Sequence, residues 1–237
     1  MNFFSETITY KRAGQYLAEF ADELKDIFSL HLGGTLLAAP LKEWATMPGF
    51  SGVMTWFCLD KSNPLAAKVF LAFEKKIDFV IPRPDPSKPL EPETDNLLIP
   101  SQRFGYSLRS IKDYETFLRN HKMAPPIENA LLHSVSVMRY FKEYLDADPI
   151  KPFQRYGYGY FENSPDGGNK DIIKNFLATT GLEYVRYYFG FCPRAEADPN
   201  FIRIILVPVD KEGKNISEQS ILSDPPLVQK SVPPPPL

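Results

Sequence analysis

Apolar residues fall in two kinds of run along this chain, and two of the runs look alike. Val53 to Leu59 and Ala67 to Phe73 are nearly continuous apolar segments separated by a polar, proline-containing turn, and Tyr184 to Phe191 with Phe201 to Val207 repeat that plan. Short runs rich in β-branched and aromatic residues and bounded by turn formers read as strands. Each pair follows helical sequence, which is the layout of two similar α+β halves. Few residues are identical between the pairs and the preceding helices sit at different distances. Recurrence of a common helix-plus-hairpin unit therefore explains the likeness better than duplication.

The second kind of run has helical spacing. Tyr16, Leu17, Phe20, Leu24, Ile27, Phe28 and His31 share one stripe of a helix expected from about Lys11 to Leu32, with Gly33-Gly34 as its stop. Thr35 to Ser51 reads as an ordered loop with a helical turn near Leu41 to Ala45. Ser110 with Asp113 resembles a capping box before Ile111, Tyr114, Phe117 and Leu118. A longer helix is expected from Ile127 to Asp146, with Ile127, Leu131, Ser134, Val135, Met138, Phe141 and Leu145 on one side. Lys170 to Thr180 carries Ile172, Ile173, Phe176 and Leu177 and ends at Gly181. Tyr156 to Phe161 alternates aromatic residues with glycine at a period of two, the pattern of a strand with one packed face.

Between these elements lie segments with neither period. Ile81 to Pro100 holds six prolines in twenty positions, which opposes helix and central strand and marks a linker in extended geometry. Asp210 to Asn215 closes the second strand pair, and from Ile216 the chain becomes polar and then proline-rich. The expected organisation is an N-terminal α+β half over residues 1–80, a proline-rich linker over 81–102, a C-terminal α+β half over 103–215 and a proline-rich tail over 216–237. The fold class is α+β, a mostly antiparallel sheet built from the two strand pairs (about 53–73 and 184–208) packed against about four helices.

Composition narrows the function classes. The chain is 43% hydrophobic and 14% aromatic, enough for a large aromatic core. Its 27 basic and 29 acidic residues leave a net charge of -2, without the broad positive field that nucleic acid or an anionic membrane surface calls for. The first residues lack a basic region followed by an apolar core, and no apolar run is long enough to span a bilayer. A cytoplasmic protein with neither nucleic acid nor membrane as partner is expected. Cys58 and Cys192 sit near the ends of the first strand in each pair, as buried thiols rather than a disulfide. His31, His121 and His133 are scattered singly, so neither metal nor cofactor is expected.

The remaining chemistry is sparse. The loop Glu162 to Asn169 combines the carboxylates of Glu162 and Asp166 with Gly167-Gly168 ahead of a helix, but matches neither a phosphate-binding nor a calcium-binding loop, and reads first as a surface turn. Arg186 and Arg203 each interrupt an apolar strand, placing them on an open sheet face as solvated residues or as a site for a carboxylate or phosphate. Tyr156, Tyr158 and Tyr160, with Trp56, are candidate stacking surfaces for a small molecule or carbohydrate. His133 with Glu162 and Asp166 would be the actors of an enzyme, although no known catalytic spacing is present and no catalytic residue is assigned. These features point to a non-enzymatic protein-interaction or structural module whose partner is another protein, with a ligand-binding module and an enzyme of unfamiliar class as alternatives.

Overall fold

A computed structural model describes residues 6–24, 31–62, 68–79, 90–105, 111–146, 158–162, 171–192, 201–216 and 221–223. In chain order its elements are β1 (Glu6–Ile8), α1 (Tyr10–Leu24), β2 (His31–Leu37), α2 (Ala39–Thr46), β3 (Phe50–Asp60), β4 (Lys68–Ile77), β5 (Asn96–Ile99), β6 (Gln102–Gly105), α3 (Tyr114–Asn120), β7 (Ala130–His133), α4 (Ser134–Leu145), β8 (Tyr158–Glu162), α5 (Ile172–Leu177), β9 (Tyr184–Cys192), β10 (Phe201–Val209) and β11 (Ile221–Ser223). The strands form two antiparallel sheets, a six-stranded one in the order β1-β11-β10-β9-β2-β6 and a five-stranded one in the order β7-β5-β4-β3-β8. The protein is α+β, and its two expected strand pairs, β3 with β4 and β9 with β10, lie at the heart of separate sheets.

The sheets pack face to face, and helices cover their outer faces. Side chains alternate across a strand, so β3 and β4 each serve two cores. Val53, Phe57, Leu59, Leu71 and Phe73 join the main core, while Met54, Trp56, Cys58, Phe70 and Ala72 join a second one. In the main core Phe57 meets Phe189 at 5.7 Å between ring centroids, Phe73 meets Tyr187 at 5.7 Å, and the Leu71 N–H donates to the Tyr187 hydroxyl at 3.4 Å. The second core is closed by α4, whose Phe141 sets its ring edge-on to Trp56 at 5.3 Å. α1 and α3 lie together on the opposite outer face, where Phe117 of α3 packs on Tyr188 of β9. This double covering explains why the strands read as continuous apolar runs instead of alternating ones.

Both sheets draw strands from either side of residues 81–102, since β2 pairs with β9 and β3 with β8. Part of the proline-rich stretch is itself a strand. Asn96 to Ile99 contains no proline and pairs with both β4 and β7, while residues 81–89 lie outside the described residues. Likewise Ile221 to Ser223, within the expected tail, pairs with β1 and β10; three residues are too few to carry a period.

Two helices begin or end elsewhere than their periodicity indicates. The first is described only to Leu24, and Gly33-Gly34 lies inside β2 rather than stopping a helix. A Cβ on Gly34 would sit 2.9 Å from the Tyr187 ring and 3.0 Å from Pro100 Cβ, so the bare backbone here admits the tyrosine from the neighbouring strand. In the expected Ile127 to Asp146 helix, Ala130 to His133 instead pairs with β5 and α4 starts at Ser134. In α3 the cap is Asp113, whose carboxylate accepts from the Thr116 N–H at 3.1 Å and the Thr116 hydroxyl at 2.7 Å. A fifth helix, α2, replaces the expected turn, with Pro40 near its start where the missing N–H costs nothing.

Candidate functional site

The two arginines expected on an open sheet face are covered. The pairing of β9 with β10 sets Arg203 opposite Gly190 and Arg186 opposite Val207, which puts both side chains on the face under α1 and α3. Arg203 lies with its guanidinium 5.4 Å from the Tyr16 ring centre. Arg186 is 0% exposed and donates to Asn215 Oδ1 at 2.7 Å, the Gly213 carbonyl at 3.1 Å, Thr35 Oγ1 at 3.2 Å and the His121 carbonyl at 3.3 Å. These four acceptors come from β2, the end of α3 and the turn after β10. The guanidinium therefore ties distant segments to the sheet, using the five-donor fork that lysine lacks.

The same cluster fixes the protonation of His121. Asn215 Nδ2 donates to the Leu118 carbonyl at 2.7 Å and to the Tyr188 hydroxyl at 3.0 Å. The Tyr188 hydroxyl in turn shares a hydrogen bond with His121 Nδ1, 2.5 Å away. Burial, reinforced by the Arg186 charge, holds His121 down to about 3, so it is neutral at physiological pH. Gly213 closes the cluster at φ +77°, where a Cβ would fall 1.8 Å from the Met123 carbonyl oxygen. The arrangement is a buried structural clamp, its polar groups turned toward one another.

The aromatic candidates are also internal. Trp56, Tyr158 and Tyr160 are buried; Trp56 packs on Tyr158 at 5.9 Å, and the Tyr160 hydroxyl donates to the Ser51 carbonyl at 2.7 Å with its ring against Phe79. Beside them lies a buried ion pair that sequence inspection missed, because Glu74 and Lys76 look like the polar end of a strand. Glu74 accepts from Trp56 Nε1 at 2.9 Å and from the N–H groups of Glu93 at 2.6 Å and Thr94 at 2.9 Å, and Lys76 Nζ lies 3.2 Å from Glu74 and 2.9 Å from Glu93. Four donors on one carboxylate pin the 90–95 segment over the second core.

Of the expected enzyme actors, His133 and Glu162 do not come together. His133 is on β7 and Glu162 on β8, at opposite edges of the five-stranded sheet. Four strand spacings separate them, roughly 19 Å, far beyond hydrogen-bond reach. Tyr156, Asp166, the rest of the 163–169 loop and the proline-rich residues 224–237 lie outside the described residues. Cys58 is free and buried, and burial raises its thiol well above the usual range against the opposing Arg103 charge, the environment of an inert thiol. Among the described residues no group of three His, Cys, Asp or Glu side chains could hold a metal ion, and no helix is long and apolar enough to cross a membrane.

The outward-facing feature is apolar. Ile127, Leu131 and Val135 are 96%, 63% and 78% exposed, although helical spacing placed them on a buried stripe. They cluster in sequence around β7, the outermost strand of its sheet. β6, the last strand of the six-stranded sheet, is joined to β5 by Pro100 and Ser101, and β7 lies on the far side of β5 as the outermost strand of the five-stranded sheet. No protein family, no curated protein and no solved structure matches this chain.

Proposed function

We propose that this chain is a protein-interaction module that binds through the β7 edge of its five-stranded sheet. The observation that carries the reading is the exposure of Ile127, Leu131 and Val135 beside a strand that, among the described residues, pairs only with β5. Unpaired edges present free N–H and C=O groups, and folded proteins guard them with charge, proline, bulges or cover. The other edges carry such guards. β1 has three residues, β6 bears Arg103 and an irregular register against β2, and α5 packs beside β8. β7 reads Ala-Leu-Leu-His, without proline, lysine, arginine or carboxylate. Apolar side chains beside an open edge suit an extended segment of another protein, which gains backbone hydrogen bonds and side-chain burial together.

The test is affinity purification from the native host with three forms of the chain: unaltered, carrying Ile127→Ser, Leu131→Ser and Val135→Ser together, and truncated after Ser223. A protein retained by the unaltered and truncated forms and lost by the triple variant supports the reading. Equal retention by the triple variant, or loss only on truncation, overturns it in favour of another face or the tail.

A further inference from the structure

We infer that the occupant of the β7 edge is a second copy of this chain, joined as a two-fold dimer in which the β7 strands pair antiparallel about Leu131. The inference rests on the reading of β7 as a binding edge and names its partner. The argument is one of symmetry. A two-fold interface must be self-complementary: whatever residue i meets on the partner must meet i in return. Ile127 and Val135 lie four positions before and after Leu131. An axis through Leu131, perpendicular to the sheet, sets Leu131 against its own copy, Ile127 of each chain toward Val135 of the other, and Ala130 against Leu132. Ile127, Leu131 and Val135 thereby find apolar partners, a match that a heterologous partner has no reason to impose.

Face and charge agree with this placement. Leu131 is paired with Leu98, a main-core residue, so it stands on the face turned toward the six-stranded sheet, where it is left exposed. An axis perpendicular to the sheet keeps that face common to both copies, so the two exposed Leu131 side chains meet on it. Leu132 and Ala130 remain packed on the second core beneath. β7 has no charged carboxylate, lysine or arginine to repel its copy, and a net charge of -2 per chain adds little long-range repulsion. The ends depart from a regular ladder: Val135 is in the first turn of α4, and Ile127 is in the loop before β7. These two side chains close over the four-residue ladder rather than extending it.

Area sets the strength. Side chains of this size, exposed to 96%, 63% and 78%, offer on the order of 400 Å2 of apolar surface per copy. A standard interface buries about 800 Å2 per partner, the remainder here falling to strand backbone and flanking residues. The dimer is therefore at the small end and depends on concentration, with dissociation in roughly the micromolar range.

Sedimentation velocity of the full chain, from about 1 to several hundred micromolar, tests this. The unaltered chain should move from monomer toward twice the monomer mass, and Leu131→Arg should weaken association at least about tenfold with unchanged circular dichroism. A second variant reads the axis directly. Residues facing each other across antiparallel strands have Cα atoms about 4.5–5.5 Å apart, within disulfide range, so Leu131→Cys should give a covalent dimer on mild oxidation that Lys112→Cys does not. A chain monomeric throughout, a dimer indifferent to Leu131→Arg, or a Leu131→Cys chain that fails to cross-link overturns the two-fold pairing. The β7 reading itself fails only if the triple serine variant retains every partner of the unaltered chain, so the two failures are distinguishable.

Discussion

Replacing Arg186 with methionine should destabilise the protein by about 3 kcal/mol, and the sum can be followed partner by partner. Two of its four acceptors keep other donors: the Gly213 carbonyl also receives the Met123 N–H at 3.1 Å, and the His121 carbonyl receives the Asn215 N–H at 3.3 Å. Thr35 has a hydroxyl that can turn. Asn215 Oδ1 is the acceptor that suffers, because its Nδ2 is committed to Leu118 and Tyr188 and the amide cannot rotate to compensate. A hydrogen bond from a charged donor contributes about 1.5–3 kcal/mol, and stranding a buried acceptor costs about 1–3 kcal/mol more. The buried methionine chain returns about 1 kcal/mol, since no guanidinium must be desolvated. Equilibrium urea unfolding, followed by the emission of buried Trp56, measures the difference at constant slope. A loss below about 1 kcal/mol would refute the clamp as drawn.

Three further outcomes follow from the same contacts. His121 is neutral in the folded chain down to about pH 3, whereas in the unfolded chain it takes a proton near its usual 6.5. The unfolded state therefore binds more protons between those values, stability falls as pH falls through that window, and about 2 kcal/mol should be lost from pH 7 to pH 5. His121→Asn should flatten that part of the profile in urea titrations run at both pH values. Glu74→Gln sets an amide NH2 against donors from Trp56, Lys76 and two backbone N–H groups, and should lower the unfolding free energy by about 2–4 kcal/mol, with a change in Trp56 emission as a local readout. Gly213→Ala must move either its own turn or the Met123 carbonyl, at a cost of about 2–4 kcal/mol in thermal or urea unfolding.

What could be read in the sequence depended on how local its cause was. β3, β4, β9 and β10 were legible because each is a long apolar run closed by a polar turn, and the α1 stripe because its residues repeat at helical spacing. Gly33-Gly34 misled because a glycine that stops a helix and one that admits a tyrosine from a neighbouring strand look alike in one dimension. Arg186 looked solvated for the same reason: its acceptors at positions 35, 121, 213 and 215 come from separate segments, and no spacing links them. Ile127, Leu131 and Val135 showed a sound apolar period, yet residues 130–133 pair with β5 instead of continuing a helix, and whether such a stripe is covered depends on which distant segments pack over it.

Backbone amide exchange over residues 130–135 tests the central claim, that β7 pairs with the β7 of a second copy. Every second N–H of an unpaired edge strand exchanges freely, and pairing with another strand protects it. Mass-spectrometric exchange of the full chain, dilute and concentrated, should show protection of this segment rising with concentration, and Leu131→Arg should abolish the rise. Protection that is identical at every concentration and in the variant would contradict the account.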